Sequence, residues 1–200
     1  MSEKAIQTIF DRSIPIDEYL AQEQVNRTWF ARVSDGIHRV ADDPANAIFP
    51  ADVRLLILSE PYCGDCVLNL PLIAALGATS GSSAIRVASR DAYPEIAARF
   101  PGRNGASRLP TVIFLDPSWN ALGHWSERSA KDHAWMANFI DHDPLLTIEL
   151  DNGHPAGAFA SWLERRLSSQ LPIFLNENWK AVRDELVAVA AVREASVSAA

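Results

Sequence analysis

The 200-residue chain has two cysteines, and they stand three residues apart in Cys63-Gly64-Asp65-Cys66. Thiols at that spacing meet across a single turn, so they can be joined and parted as a disulfide. The aliphatic run Val53-Arg54-Leu55-Leu56-Ile57-Leu58-Ser59 just before them reads as a buried strand of a parallel sheet. Apolar residues at 67, 70, 73 and 74 just after them read as a helix. The pair is therefore expected at a strand-to-helix turn. There, the partial positive charge and free N–H groups of a helix N-terminus stabilise a Cys63 thiolate. A purely structural disulfide is disfavoured, because so short a loop constrains the unfolded chain little. Zinc is disfavoured too: there is no second C-x-x-C, and His38, His124, His133, His142 and His154 are scattered.

The elements that hold this turn are legible as periodicities. Residues 1–50 read as helical, over Ile16 to Arg32 and Val33 to Val40, with a break at Asp42-Asp43-Pro44. Pro71 falls inside the helix after the cysteines and is expected to kink it. Gly77 to Ser83 reads as a loop, Ile85 to Ala88 as a strand, and Asp91 as the cap of a helix over Ala92 to Phe100. Thr111 to Leu115 reads as a second buried strand, and Ala121 to Trp125 as its antiparallel return. Helices are predicted over Ser129 to Ile140, Pro155 to Leu167 and Asn176 to Val192, the last two parted at Gln170-Leu171-Pro172. The order β-α-β-α-β-β-α, with helices at both ends, predicts a mixed four-stranded sheet flanked by helices, an α/β arrangement. The divisions are an N-terminal helical extension (1–50), a core (51–145) and a C-terminal helical extension (146–200), joined in one compact unit.

An apolar share of 48%, a charged share of 22% and a net charge of −7 suit a globular chain that needs no staples. The acidic balance argues against a nucleic-acid partner. The N-terminus lacks an apolar signal segment and no stretch approaches a membrane span, so a cytoplasmic protein with no membrane partner is expected. Trp29, Trp135, Trp162 and Trp179 fall on helix faces and are expected to pack. Trp125 is the one to watch as a ligand contact, and the acidic stretch Asp141 to Asp151 reads as a solvated loop.

Three features together resemble the thioredoxin-like superfamily: Cys63-Gly64-Asp65-Cys66 at the turn, Pro71 five residues on, and Leu109-Pro110-Thr111 opening a strand. The C-G-D-C motif is similar to that of a small bacterial group of thioredoxin-family proteins. Phe114-Leu115-Asp116, Gly123-His124-Trp125, Arg128 and Asp17-Glu18-Tyr19-Leu20 resemble further segments of that group. The resemblance covers roughly residues 15–145. It implies a thioredoxin-like fold and a thiol-disulfide oxidoreductase serving cell redox homeostasis, with Cys63 attacking and a more buried Cys66 resolving.

The resemblance also implies that Pro110 follows a cis bond facing the cysteines. Tyr62, Leu109, Pro110 and Thr111 would then bind substrate through an aromatic wall and exposed backbone groups. Tyr62 stands where the family has tryptophan, and Ile57 where thioredoxin carries a buried acid; a slow second step is therefore expected. Gly64 and Asp65 are the tuning positions. The Asp65 charge opposes the helix terminus and predicts a reducing couple, nearer roughly −270 mV than roughly −120 mV. Glu60, the nearest acid, is expected in solvent. No cofactor is expected. The partners expected are a disulfide-containing protein or small-thiol substrate and an unidentified electron donor. A peptide-binding module with little turnover, or a redox sensor, would use the same groove.

Overall fold

A computed structural model describes residues 2–22, 25–41, 43–81, 84–143 and 157–197. Helix α1 (Glu3–Arg12) leads into β1 (Ile14–Pro15), α2 (Ile16–Ala21) and α3 (Arg27–Ala41). Strand β2 (Arg54–Ser59), helix α4 (Gly64–Thr79), strand β3 (Ile85–Ser89) and helix α5 (Pro94–Arg99) follow. Strands β4 (Thr111–Leu115) and β5 (Ala121–Ser126) precede α6 (Ala130–His142), α7 (Ala158–Ile173) and α8 (Trp179–Val197).

The sheet runs β1-β3-β2-β4-β5. Strand β2 lies parallel to β3, with Leu55 opposite Ile85, and antiparallel to β4, with Leu58 opposite Thr111. Leu55 to Leu58 are wholly buried because both faces of a central strand are covered, which is why the run is aliphatic without alternation. Helix α3 packs along α4, and α8 packs against β5. Leu167, Phe174, Val182 and Leu186 enter the same core as β2 and α4. Among the described residues no helix is long and apolar enough to cross a membrane.

The architecture is the expected α/β one, with differences of detail that have physical causes. The sheet has five strands, not four: β1 pairs antiparallel with β3, Ile14 opposite Val87. Two residues are too few to show a period, so this edge strand is hidden inside a helical stretch. The helix expected over Ile16 to Arg32 is two, α2 and α3. Helix α5 begins at Pro94, a residue whose fixed φ suits the first helical position, with Tyr93 preceding it. Asp91 is therefore not its cap and pairs with Arg90 instead.

Helix α4 continues through Gly77 to Thr79. The break expected at Gln170-Leu171-Pro172 does not occur. Proline removes one i→i−4 bond, and the helix widens into a π turn over Phe174–Asn178 and continues as α8. His154, the helix start at Pro155, residues 82–83, the division at 145/146 and most of the acidic stretch lie outside the described residues. Asp143, at the start of that stretch, is buried and holds Arg165 at 2.9 Å, so it is no solvated loop residue.

Candidate active site

Strand β2 ends in the core and the chain turns into α4, which makes Cys63 the N-cap residue of that helix. The Cys66 N–H donates to the Cys63 sulfur at 3.3 Å, as an N-cap acceptor requires. The Cys63 thiol in turn donates to the Leu109 carbonyl at 3.6 Å. The Leu109–Pro110 peptide is cis. Cys63 is half-buried and Cys66 fully buried, so one sulfur is accessible and the other is reached through it.

The two thiols are driven apart in acidity. Cys63 is held below an ordinary thiol, chiefly because the Cys66 side chain hydrogen-bonds its sulfur; burial and the Asp65 charge push the other way. Cys66 is pushed well up by burial, and further by the same shared bond. The Ser59 hydroxyl pulls against that rise by hydrogen-bonding Cys66. Ser59 is 1% exposed and pairs with the Tyr19 hydroxyl at 3.2 Å. The Tyr19 phenol is pushed up to about 12, mainly by burial, so it stays a neutral hydroxyl. Ile57 lies wholly in the core, and on the same strand face two residues later Ser59 brings a polar group to the buried sulfur.

One electrostatic expectation needs correction, and a second gains partners that the sequence does not show. Glu60 is not in solvent: it is 8% exposed, accepting from the Ser89 hydroxyl at 2.7 Å and the Asp91 N–H at 3.0 Å. Those donors hold it as a brace between two loops rather than a base. Asp65 is not a bare charge beside the thiolate either. Arg128 grips it with two bonds, Nε to Oδ1 at 3.1 Å and Nη2 to Oδ2 at 2.7 Å, and Arg166 of α7 closes on Oδ1. Two guanidiniums offset its repulsion of Cys63, which weakens the argument for a strongly reducing couple.

Gly64 has a packing role: a Cβ there would lie 2.6 Å from Leu163 Cδ1 and 2.8 Å from Arg166 Nη1. Glycine lets α7 press directly on the first turn of α4. Tyr62 is 42% exposed beside the pair, its hydroxyl accepting from Arg90 at 2.8 Å. Leu109 and Pro110 are buried against the motif. Thr111 turns its side chain inward, donating to the Arg108 carbonyl at 2.7 Å, so it offers a substrate no side chain.

Trp125 is likewise no ligand contact, since its indole N–H is taken by Glu185 at 2.8 Å. His124 bonds the Pro101 carbonyl at 2.8 Å. Among the described residues no group of three or more His, Cys, Asp or Glu could hold a metal ion. A groove of about 400 Å³ opens beside Tyr62, walled by Trp29, Phe159 and Leu163. Its walls come from both terminal extensions.

Ser59 carries a sequence signal, a hydroxyl two residues beyond Ile57 on one strand face. Arg166 carries none: it meets Asp65 from 101 positions away.

Comparison with known proteins agrees with this geometry. No curated protein matches the chain. A solved structure described as a protein of unknown function from Pseudomonas aeruginosa is similar in fold, with 18% identity and a TM-score of 0.50. The match covers 82% of this chain and 93% of that one. An HIV epitope-scaffold is similar at 20% identity and a TM-score of 0.52, covering 79% of this chain and 94% of its own. A family model described as thioredoxin matches residues 13–140, from β1 to α6, taking in both cysteines and the cis-proline. The chain belongs to the thioredoxin family.

Proposed function

We propose that the protein is a thiol-disulfide oxidoreductase working through Cys63 and Cys66. The observation that carries the reading is the split between the two sulfurs. One is accessible and acidic at a helix N-terminus beside a cis-proline; the other is buried, protonated and in contact with the first.

The Cys63 thiolate attacks one sulfur of a substrate disulfide. The S–S bond breaks, a Cys63–substrate disulfide forms, and the other half leaves as a thiolate that takes a proton from water. Cys66 then attacks the Cys63 sulfur. Its thiol proton goes to the departing thiolate, and its electron pair closes the Cys63–Cys66 disulfide. The substrate gains two electrons and the protein loses two. A reduced dithiol donor must restore the pair, as in a cytosolic setting. No cofactor enters this cycle.

Ser59 supports the second step. Its hydroxyl, oriented by Tyr19, can donate to the sulfur of Cys66 as charge develops there. The exposed edge of Tyr62 is the surface a substrate would meet first, with the buried Leu109–Pro110 segment behind it.

The test is reduction of a small neutral disulfide by the full chain, recycled with dithiothreitol. Cys63→Ser is expected to abolish turnover, and Cys66→Ser to retain one round and hold a mixed disulfide. Wild-type turnover no higher than that of Cys63→Ser, both at the dithiothreitol background, would overturn the reading in favour of a binding module.

A further inference from the structure

On another flank of the cysteine pair lies a groove of about 440 Å³, a volume suited to a small ligand. Arg103 and Arg108 come from the loop before the cis-proline, Glu127 and Arg128 from the end of β5, His133 from α6 and Trp162 from α7. Arg108 is the chain neighbour of Leu109, whose carbonyl touches the Cys63 sulfur at 3.6 Å. Arg128, which holds Asp65 at 2.7 Å, ties the groove to the motif directly.

Its charge is opposite in sign to that of the chain. Among the lining residues the guanidiniums of Arg103, Arg108 and Arg128 stand against the carboxylate of Glu127, three against one, leaving two positive charges in excess. The whole chain carries −7. Arg128 and Arg166 are occupied with Asp65, and Glu127 is shared between Arg128 at 2.9 Å and Arg108 at 3.8 Å. Arg103 and the outer half of Arg108 are left to face a ligand.

Two more nitrogens stand in the groove wall. The Trp162 indole N–H and His133 Nε2 are buried and have no hydrogen-bond partner among the described residues; Glu127 lies 3.7 Å from the histidine, within ion-pair reach but too far for a hydrogen bond. A buried donor left unpaired is destabilised, and an anionic oxygen is the acceptor that best relieves the Trp162 indole N–H.

We propose that this groove binds the carboxylates of low-molecular-weight disulfides, so that the substrates are small disulfides bearing negative charge near the sulfurs. The inference rests on the thiol-disulfide reading. Carboxylates seated on Arg103 and Arg108 place the adjoining S–S bond over Cys63. A positive groove within a negative surface gathers such anions while the rest of the molecule repels them. The electron balance is that of the cycle above: both halves of the disulfide leave as thiols, and a dithiol donor restores the protein.

The test compares kcat/KM of the full chain on three disulfides of similar size at low ionic strength. These are dithiodipropionate (anionic), bis(2-hydroxyethyl) disulfide (neutral) and cystamine (cationic), each rate divided by that compound's rate with dithiothreitol alone. The order anionic, neutral, cationic is expected, with at least tenfold between the first two. In the double variant Arg103→Ser/Arg108→Ser, both positions being exposed, the anionic-to-neutral ratio is expected to fall to twofold or less. A ratio near one in wild type, or a ratio that survives the double variant, overturns the proposal. Faster reduction of an acidic decapeptide disulfide than of dithiodipropionate would transfer the groove to protein substrates and overturn the small-molecule class. No turnover of any of the compounds would bring down the thiol-disulfide reading itself, and this proposal with it.

Discussion

Cys63 owes its acidity above all to its partner. The Cys66 side chain gives the first cysteine a hydrogen bond that strengthens when the sulfur is ionised, and this outweighs burial and Asp65. Alkylation by iodoacetamide follows the thiolate fraction, so its rate is expected to rise with pH and level off with a midpoint below the ordinary thiol value of about 8.5. Cys66→Ala removes the donor and is expected to move that midpoint upward; an unmoved midpoint would assign the acidity to the helix terminus alone. Ser59 acts on the other sulfur. With Ser59→Ala, Cys66 loses the group that opposes its rise, and its thiolate becomes scarcer at neutral pH. One unit of pKa is tenfold in thiolate, so release of the second substrate half is expected to slow by about three- to tenfold. The first attack by Cys63 should keep its rate, a split visible in stopped-flow single turnovers. A general loss of packing would slow both steps alike.

The meeting of α4 and α7 is the element-scale feature that most shapes the site. Helix α7 can approach because Gly64 has no side chain, and it stays because Arg166 joins Arg128 on Asp65. Arg166→Met keeps most of the stem's packing and loses the charged bond, an expected cost of about 1.5–3 kcal/mol by urea denaturation. A loss below about 0.5 kcal/mol would mean that Arg128 alone satisfies the carboxylate. This contact shows where sequence reading stops. Strands β2 and β4, helix α4 and the cysteine turn announce themselves through contiguous apolar runs and residue spacing, all of it local. The cis-proline was legible only through the company of the cysteines. The pairing of Asp65 with Arg166 spans 101 positions, and neither residue's neighbours hint at the other. Asp65 therefore reads as a repelling charge in the sequence and as a clamped one in the fold. Strand β1 and the π turn at Phe174–Asn178 fail for a different reason: each is a short departure whose pattern is too brief to separate from the helices around it.

At the scale of the whole molecule, one core is filled from nearly the full length of the described chain, from Ile6 in α1 to Ala190 in α8. The chain is acidic overall, yet one groove opens at Tyr62, next to Cys63 in the chain, and a second is lined by Arg103, Arg108 and Arg128, the last of which holds Asp65 of the motif. The family match ends at residue 140, before Leu163 and Arg166, which touch the motif. That boundary has a consequence for how the protein comes to be. A ribosome that has just released α6 has already made both cysteines, the proline facing them and Arg128. The aspartate between the cysteines has by then only one of its two arginines. Arg166 can join Asp65 only once α7 has been made and has docked, so the surroundings of the cysteine pair are completed by an element that follows the family-matched segment.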